Sequence, residues 1–189
     1  MTYRKICIMI KQTYVLVLRE EILEGSGIFV LRCGKKYIIN TEGRTAMTIM
    51  DVARYLIYLS YHDGNNYSLT PLKLQKVLYY VQGWSYLWDN KPMFAEVFEA
   101  WQYGPVNREV YDQFKIYKGS EIPYKEGARP RCASPEELET IERVWEEYGM
   151  ESAGELVTMT HEEAPWRNAY QEGTLISNRA IRKYFHENY

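Results

Sequence analysis

The segment 68–111 constrains this chain more than any other. Thr70 carries a side-chain oxygen suited to capping a helix. Pro71 fits the first helical position, where its missing N–H would have no partner anyway. Leu69 and Leu74 are spaced for a hydrophobic staple, and Leu74, Val77, Leu78, Val81 and Trp88 recur at helical spacing. Lys73 and Lys76, with Gln75 between them, project away from that stripe. Asp89-Asn90-Lys91-Pro92 stops the helix. Residues 93–103 then lose the helical period. Val97, Glu99, Trp101 and Tyr103 alternate with Phe98, Ala100 and Gln102, which predicts a short strand with Glu99 and Trp101 on one side. Gly104-Pro105 turns the chain into Val106, and Asn107 is placed to cap a helix bearing Val110, Tyr111 and Phe114.

Helical signals dominate on either side. Thr48 to Asp51 reads as a capping box, followed by Val52, Tyr55, Leu56 and Leu59 up to the turn-rich stop at His62-Asp63-Gly64. Residues 118–134 form a long loop containing Pro123 and Pro130, of a length that is usually mobile or functional. Ser134-Pro135-Glu136-Glu137 opens a helix along Leu138, Ile141, Trp145 and Tyr148, ended by Gly149. Ser152 starts another, running to about His161, and Pro165 breaks the pattern. Thr174-Leu175-Ile176 suits a second short strand, and a last helix after Ser177 carries Ile181, Tyr184 and Phe185 on one face. The prediction is a mainly α protein: a compact multi-helix domain over 47–189 with one short β-ribbon. Residues 1–46 would add a small β or disordered extension, since they hold only short β-prone runs: Ile6 to Ile10, Tyr14 to Leu18, Ile28 to Leu31 and Tyr37 to Ile39.

Composition sets the class. Apolar residues make up 46% and charged residues 25%, the balance of a globular chain. A net charge of −2 argues against nucleic acid as a partner. No apolar run approaches the ~20 residues of a membrane helix. Cys7, Cys33 and Cys132 lie far apart without a CxxC pair, as in a protein of the reducing cytoplasm. The 18 tyrosines fit either a core whose hydroxyls reach water or a surface built for protein recognition.

Catalytic signatures are absent: no phosphate-binding glycine loop, HExxH, CxxC or GxSxG occurs, so no cofactor or metal is expected. Lys73 and Lys76 read as a solvated helix face or as an anion contact. Glu99 beside Trp101 suits a structural ion pair or a partner contact. His161-Glu162-Glu163 reads as a polar helix end, because successive helical residues do not face one another and a metal needs three or four convergent ligands. An acid–base pair of His161 with Glu99 or Glu162 is the enzymatic alternative.

Three motifs in fixed order carry a family resemblance: Thr70-Pro71-Leu72-Lys73-Leu74-Gln75-Lys76-Val77-Leu78-Tyr79-Tyr80; Glu99-Ala100-Trp101-Gln102-Tyr103-Gly104-Pro105-Val106; and Leu156-Val157-Thr158-Met159-Thr160-His161 leading to Pro165-Trp166. Over roughly 47–189 the sequence resembles the Panacea domain family, also described as SocA-like or as the phage-associated GepA family. The resemblance implies a non-enzymatic, mainly helical antitoxin of a bacterial or phage toxin–antitoxin pair, which neutralises a cognate toxin by direct binding. In one branch of the family the protein is instead an adaptor that presents the toxin to the ClpXP protease. A phage anti-defence factor acting on a host protein is a further alternative. The motif residues expected to form a shared cluster or partner surface are Lys73, Gln75, Lys76, Tyr79, Glu99, Trp101, Tyr103, Gly104, Pro105, Val106, His161 and Trp166. The long helix, the 101–106 turn and the 118–134 loop are expected to lie near the partner.

Residues 1–46 hold eight Lys or Arg against four acids, unlike the acidic remainder. The stretch Glu42-Gly43-Arg44 can be encoded by a purine-rich run resembling a ribosome-binding site shortly before Met47. A start of synthesis at Met47, with residues 1–46 translated from an upstream leader, is therefore an alternative at least as favoured as a genuine small β appendage. On that alternative, peptide mapping of the protein from its native source should yield nothing from before Arg44; any such peptide would refute it.

Overall fold

A computed structural model describes residues 47–189 other than 66, 131 and 132, together with the backbone of five short strands within residues 1–46. The chain divides into two units, 1–47 and 48–189. In the first, β1 (Cys7–Ile10) pairs antiparallel with β2 (Thr13–Leu16), while β3 (Glu20–Ile22), β4 (Phe29–Cys33) and β5 (Lys35–Ile39) form an antiparallel meander. β3 carries two glutamates and only one branched residue, Ile22, and the sequence did not announce it.

The second unit is built around one helix. Its elements are α1 (Ile49–Ser60), α2 (Pro71–Trp88), β6 (Phe98–Trp101), β7 (Gly104–Val106), α3 (Arg108–Phe114), α4 (Pro135–Tyr148), α5 (Ala153–Glu162), α6 (Ala164–Glu172), β8 (Leu175–Ile176) and α7 (Asn178–Asn188). Helix starts follow local chemistry. Thr48, Ser134 and Ser152 each close a capping box with the acid three residues on, and Thr70, Asn107 and Ser177 cap α2, α3 and α7. Pro165 was expected to break the helical pattern after about His161, and α5 does end at Glu162, but Pro165 does not leave a loop behind it. It instead occupies the first turn of α6, where proline is tolerated as readily as just past a helix end.

α2 packs against α1, α3, α4, α5, α7 and β7. Residues 73–83 are all buried, so the expected one-sided stripe is only part of the picture. Leu74, Val77, Leu78 and Val81 are fully enclosed, and so is Tyr79 on another face. A helix enclosed on every side is the centre of a domain, not its wall. The small sheet has the order β7-β6-β8, antiparallel throughout, with Glu99 opposite both Val106 and Leu175. Its inner face buries Phe98 and Ile176.

The 118–134 loop is held in place: Ile122 is buried and its N–H donates to the Leu69 carbonyl, while the Ala128 N–H donates to the Arg54 carbonyl. Gly127 lies so close to α1 that a Cβ there would stand 2.8 Å from the Tyr58 nitrogen.

Gly83 locks α7 onto α2. A Cβ at this position would lie 2.1 Å from the nearest carbon of the Phe185 ring. Gly83→Ala should cost about 1–3 kcal/mol in urea unfolding by overpacking, and Phe185→Leu in the same chain should recover part of the loss by vacating the ring position.

Candidate functional site

The polar residues of α2 point inward, and almost every one binds the backbone of another element. Lys73 Nζ donates to the Gly149 carbonyl at the end of α4 and stands over the rings of Trp145 and Tyr67, 5.5 and 5.9 Å from their centroids. Gln75 receives the Asn107 N–H at 2.8 Å and donates to the Asn107 carbonyl at 3.2 Å. Lys76 is fully buried and its ammonium donates to the Pro105 carbonyl at 2.9 Å. Gln82 accepts from the N–H groups of Met93 and Phe94 and donates to the Phe94 carbonyl and to Asn178. These bonds correct the solvated-face reading of Lys73 and Lys76. A buried ammonium without such an acceptor would be far costlier than an exposed one.

The β6–β7 hairpin sits over Lys76. Gly104 has φ +97°, and a Cβ there would meet Lys76 Cε at 2.5 Å and Thr160 Oγ1 at 2.8 Å. Only glycine accepts both the conformation and the approach. The hairpin is tied from the other side by Trp166 at the start of α6, whose Nε1 donates to the Trp101 carbonyl at 2.9 Å. His161, in the last turn of α5, stacks on Trp166 with centroids 3.8 Å apart, and Tyr170 also stacks on Trp166, 4.8 Å between centroids. Burial, with the Lys76 charge second, lowers the His161 pKa. Its Nε2 is buried without a partner, and it hydrogen-bonds no carboxylate, so no acid–base pair with Glu99 or Glu162 is formed.

On the outer face of the sheet, Glu99 is the hub. Arg108 Nε and Nη2 donate to its two oxygens at 2.9 and 2.7 Å, and Trp101 Nε1 donates at 2.7 Å. These bonds, that of Arg108 foremost, hold the Glu99 carboxyl below its ordinary range. The guanidinium lies 5.0 Å from the Trp101 ring centroid, and Tyr111 meets the same ring edge-on at 4.8 Å. Tyr103, in the hairpin turn, is 60% exposed.

The expected cluster therefore forms in part. Lys76, Gly104, Pro105, Val106, Trp101, Glu99, His161 and Trp166 gather around the hairpin, Gln75 anchors its exit, and Tyr103 projects from its tip. Lys73 turns away to α4 and does not join them. Tyr79 faces Glu163, at the α5–α6 junction, and donates to it at 2.5 Å; the buried Tyr80 hydroxyl lies against the same carboxyl. Sequence reasoning missed Arg108, Tyr111, Thr160 and Glu163 as members of these groupings. Arg108 was findable, since a cap at Asn107 sets the next residue beside the strand that precedes the turn. Among the described residues no group of His, Cys, Asp or Glu converges to hold a metal.

Residues 74–167, from α2 through the hairpin to the start of α6, match the family model described as "Antitoxin SocA-like, Panacea domain". Over that segment the chain is similar to the Panacea domain family. A curated relative, Antitoxin SocA of Caulobacter vibrioides (strain NA1000 / CB15N), is 31% identical over 109 residues, covering 52% of this chain and 58% of that protein. No solved structure matches. The Panacea match thus spans Gln75, Lys76, Tyr79 and Gln82 of the buried hub on α2 and the elements they fasten except α7, while Lys73 lies one residue before it. No helix among the described residues is long and apolar enough to cross a membrane.

Two buried groups of the second unit should shape its stability against pH. Burial pushes the Glu163 carboxyl up to about 7 from 4.5. Between those values the folded protein holds a proton that the unfolded chain has released, so this contribution is full below about 4.5 and lost by about 7. Burial holds Lys76 down to about 7 from 10.5, so its penalty is relieved as pH rises across that interval. Compared with Glu163→Gln, the wild type should lose about 3 kcal/mol of stability between pH 4.5 and 7.5. Compared with Lys76→Met, it should gain several kcal/mol between pH 7 and 10. Denaturant titrations across pH check both; parallel wild-type and variant profiles would contradict the assignment.

Proposed function

We propose that this chain is an antitoxin that neutralises a cognate toxin by binding it directly, without turnover. The observation that carries this is the Panacea match over the very segment that builds the hairpin. The curated relative named Antitoxin SocA agrees with it. The geometry adds a contact surface. The outer face of the hairpin presents Trp101, Arg108, Tyr111 and Tyr103, the residue types on which binding energy concentrates. Their positions are fixed from behind by Lys76, Gln75 and Trp166, so little ordering is left to occur on binding. Lys73 and Lys76 serve as internal fasteners in this reading, and reversing their charge probes folding, not recognition.

One further reading is favoured by the likeness to Antitoxin SocA: the same surface holds the toxin while a second surface engages ClpX. In that case the toxin's half-life falls when this protein is present and ClpX is active. Under simple neutralisation the half-life is unchanged or lengthened.

The test is co-expression with the product of the neighbouring reading frame, expected to be toxic alone. Wild-type protein should restore growth and co-purify with that product. Tyr103→Ala combined with Arg108→Gln should weaken binding by about 10–100-fold and abolish rescue, with the circular dichroism of the isolated protein unchanged and its melting lowered only slightly by loss of the exposed Glu99 ion pair. Full rescue by the folded double variant would remove the hairpin face from the interface.

A further inference from the structure

The two edges of the small sheet differ. Along β7, Pro105 has no N–H, its carbonyl is taken by Lys76, and Gln75 takes both backbone groups of Asn107 just beyond. That edge is closed to another strand. β8 is the opposite edge. Opposed residues of an antiparallel pair alternate between exchanging hydrogen bonds and turning those groups away. With Ile176 opposite Phe98 and Leu175 opposite Glu99, one residue of β8 directs its N–H and C=O away from β6. Among the described residues, no hydrogen bond reaches them from the far side.

A cleft of about 310 Å³ runs beside this edge between α6 and α7. Ala169 and Ala180 contribute to its walls, with Asn168 and Tyr184. Glu172 and the Lys183–Glu187 pair, 3.9 Å apart, add charge. Leu175 is 56% exposed and is the cross-strand neighbour of Glu99, which makes the edge continuous with the outer face of the hairpin.

We propose that β8 is a site of β-augmentation: an extended segment of the toxin pairs with it as a fourth strand and places side chains in the α6–α7 cleft. The inference rests on the antitoxin reading and adds the mode of contact. An extended backbone presents donors and acceptors that match the free edge, whereas a helix has spent its own. The cleft volume lies at the lower end of the ~300–1,000 Å³ typical of ligand pockets, enough for one or two side chains and too small for a helix face. Two paired residues contribute few hydrogen bonds, so the edge sets the register of the toxin segment while the aromatic face supplies most of the affinity.

Hydrogen exchange of the full chain, alone and with the toxin, tests this alongside growth rescue. In the complex, amide exchange within 174–177 should slow by about tenfold or more. Leu175→Lys, which places a charge on the edge, should weaken binding about tenfold in a folded protein. A neutralised toxin with 174–177 exchanging at the free rate overturns the edge proposal and leaves the antitoxin reading standing. Protection that grows with protein concentration in the absence of toxin shows a second copy on the edge, and also overturns it. Failure of the wild type to neutralise the toxin removes the antitoxin reading and the edge proposal together.

Discussion

The fold depends on polar side chains of α2 that hydrogen-bond the backbones of its neighbours. Apolar packing alone would bring the helices together without fixing how far each slides or turns, because burial is non-directional. Hydrogen bonds are directional and costly to leave unmade inside a protein. Gln75 fixes the start of α3, Lys76 fixes β7, Lys73 fixes the end of α4, and Gln82 fixes the segment that leads into β6. A shift of any one of these elements would strand a buried donor or acceptor. Tyr79 and Glu163 apply the same constraint to the junction of α5 and α6.

This arrangement divides the family motifs by role. Thr70 and Leu74 start and bury α2, Gln75, Lys76 and Gly104 hold the inner side of the hairpin, and Trp101, Tyr103 and Arg108 occupy its outer side. A recurrent motif can thus be largely scaffold and still be the best pointer to function, because the scaffold places the surface. His161 illustrates the point. Beside two glutamates it looks like chemistry, yet it stacks on Trp166 and helps set the ring that ties down the Trp101 carbonyl.

Much of the helical architecture could be read from local chemistry. Caps at Thr48, Thr70, Asn107, Ser134, Ser152 and Ser177 act within one turn, so a few adjacent residues suffice to reveal them. The hairpin was equally readable from its alternation and the Gly104-Pro105 turn. What could not be read was the burial of Lys73, Gln75 and Lys76. Helical patterning assigns polar residues to water, and the partners that reverse this for Gln75 and Lys76 lie 32 and 29 residues away. Pro165 marked the break after α5, but the start of α6 there could not be read: proline stands at helix beginnings and beyond helix ends alike, and Glu163, the residue that precedes α6, offers no side-chain cap to tell them apart.

Gly104 has a consequence for how new partners could arise. With Lys76 directly beneath it, the hairpin backbone cannot retreat to relieve a clash from outside, and no side chain can be added at that point. Changes of specificity are therefore confined to the tips: Tyr103 can be exchanged by itself, and Trp101, Arg108 and Tyr111, which touch one another, as a group, all on an unmoving mount. Mutations there should act nearly independently of the core, since they lie outside its hydrogen-bond network. The outer face can then diversify by substitution alone, with no need for the domain to find a new fold for each partner.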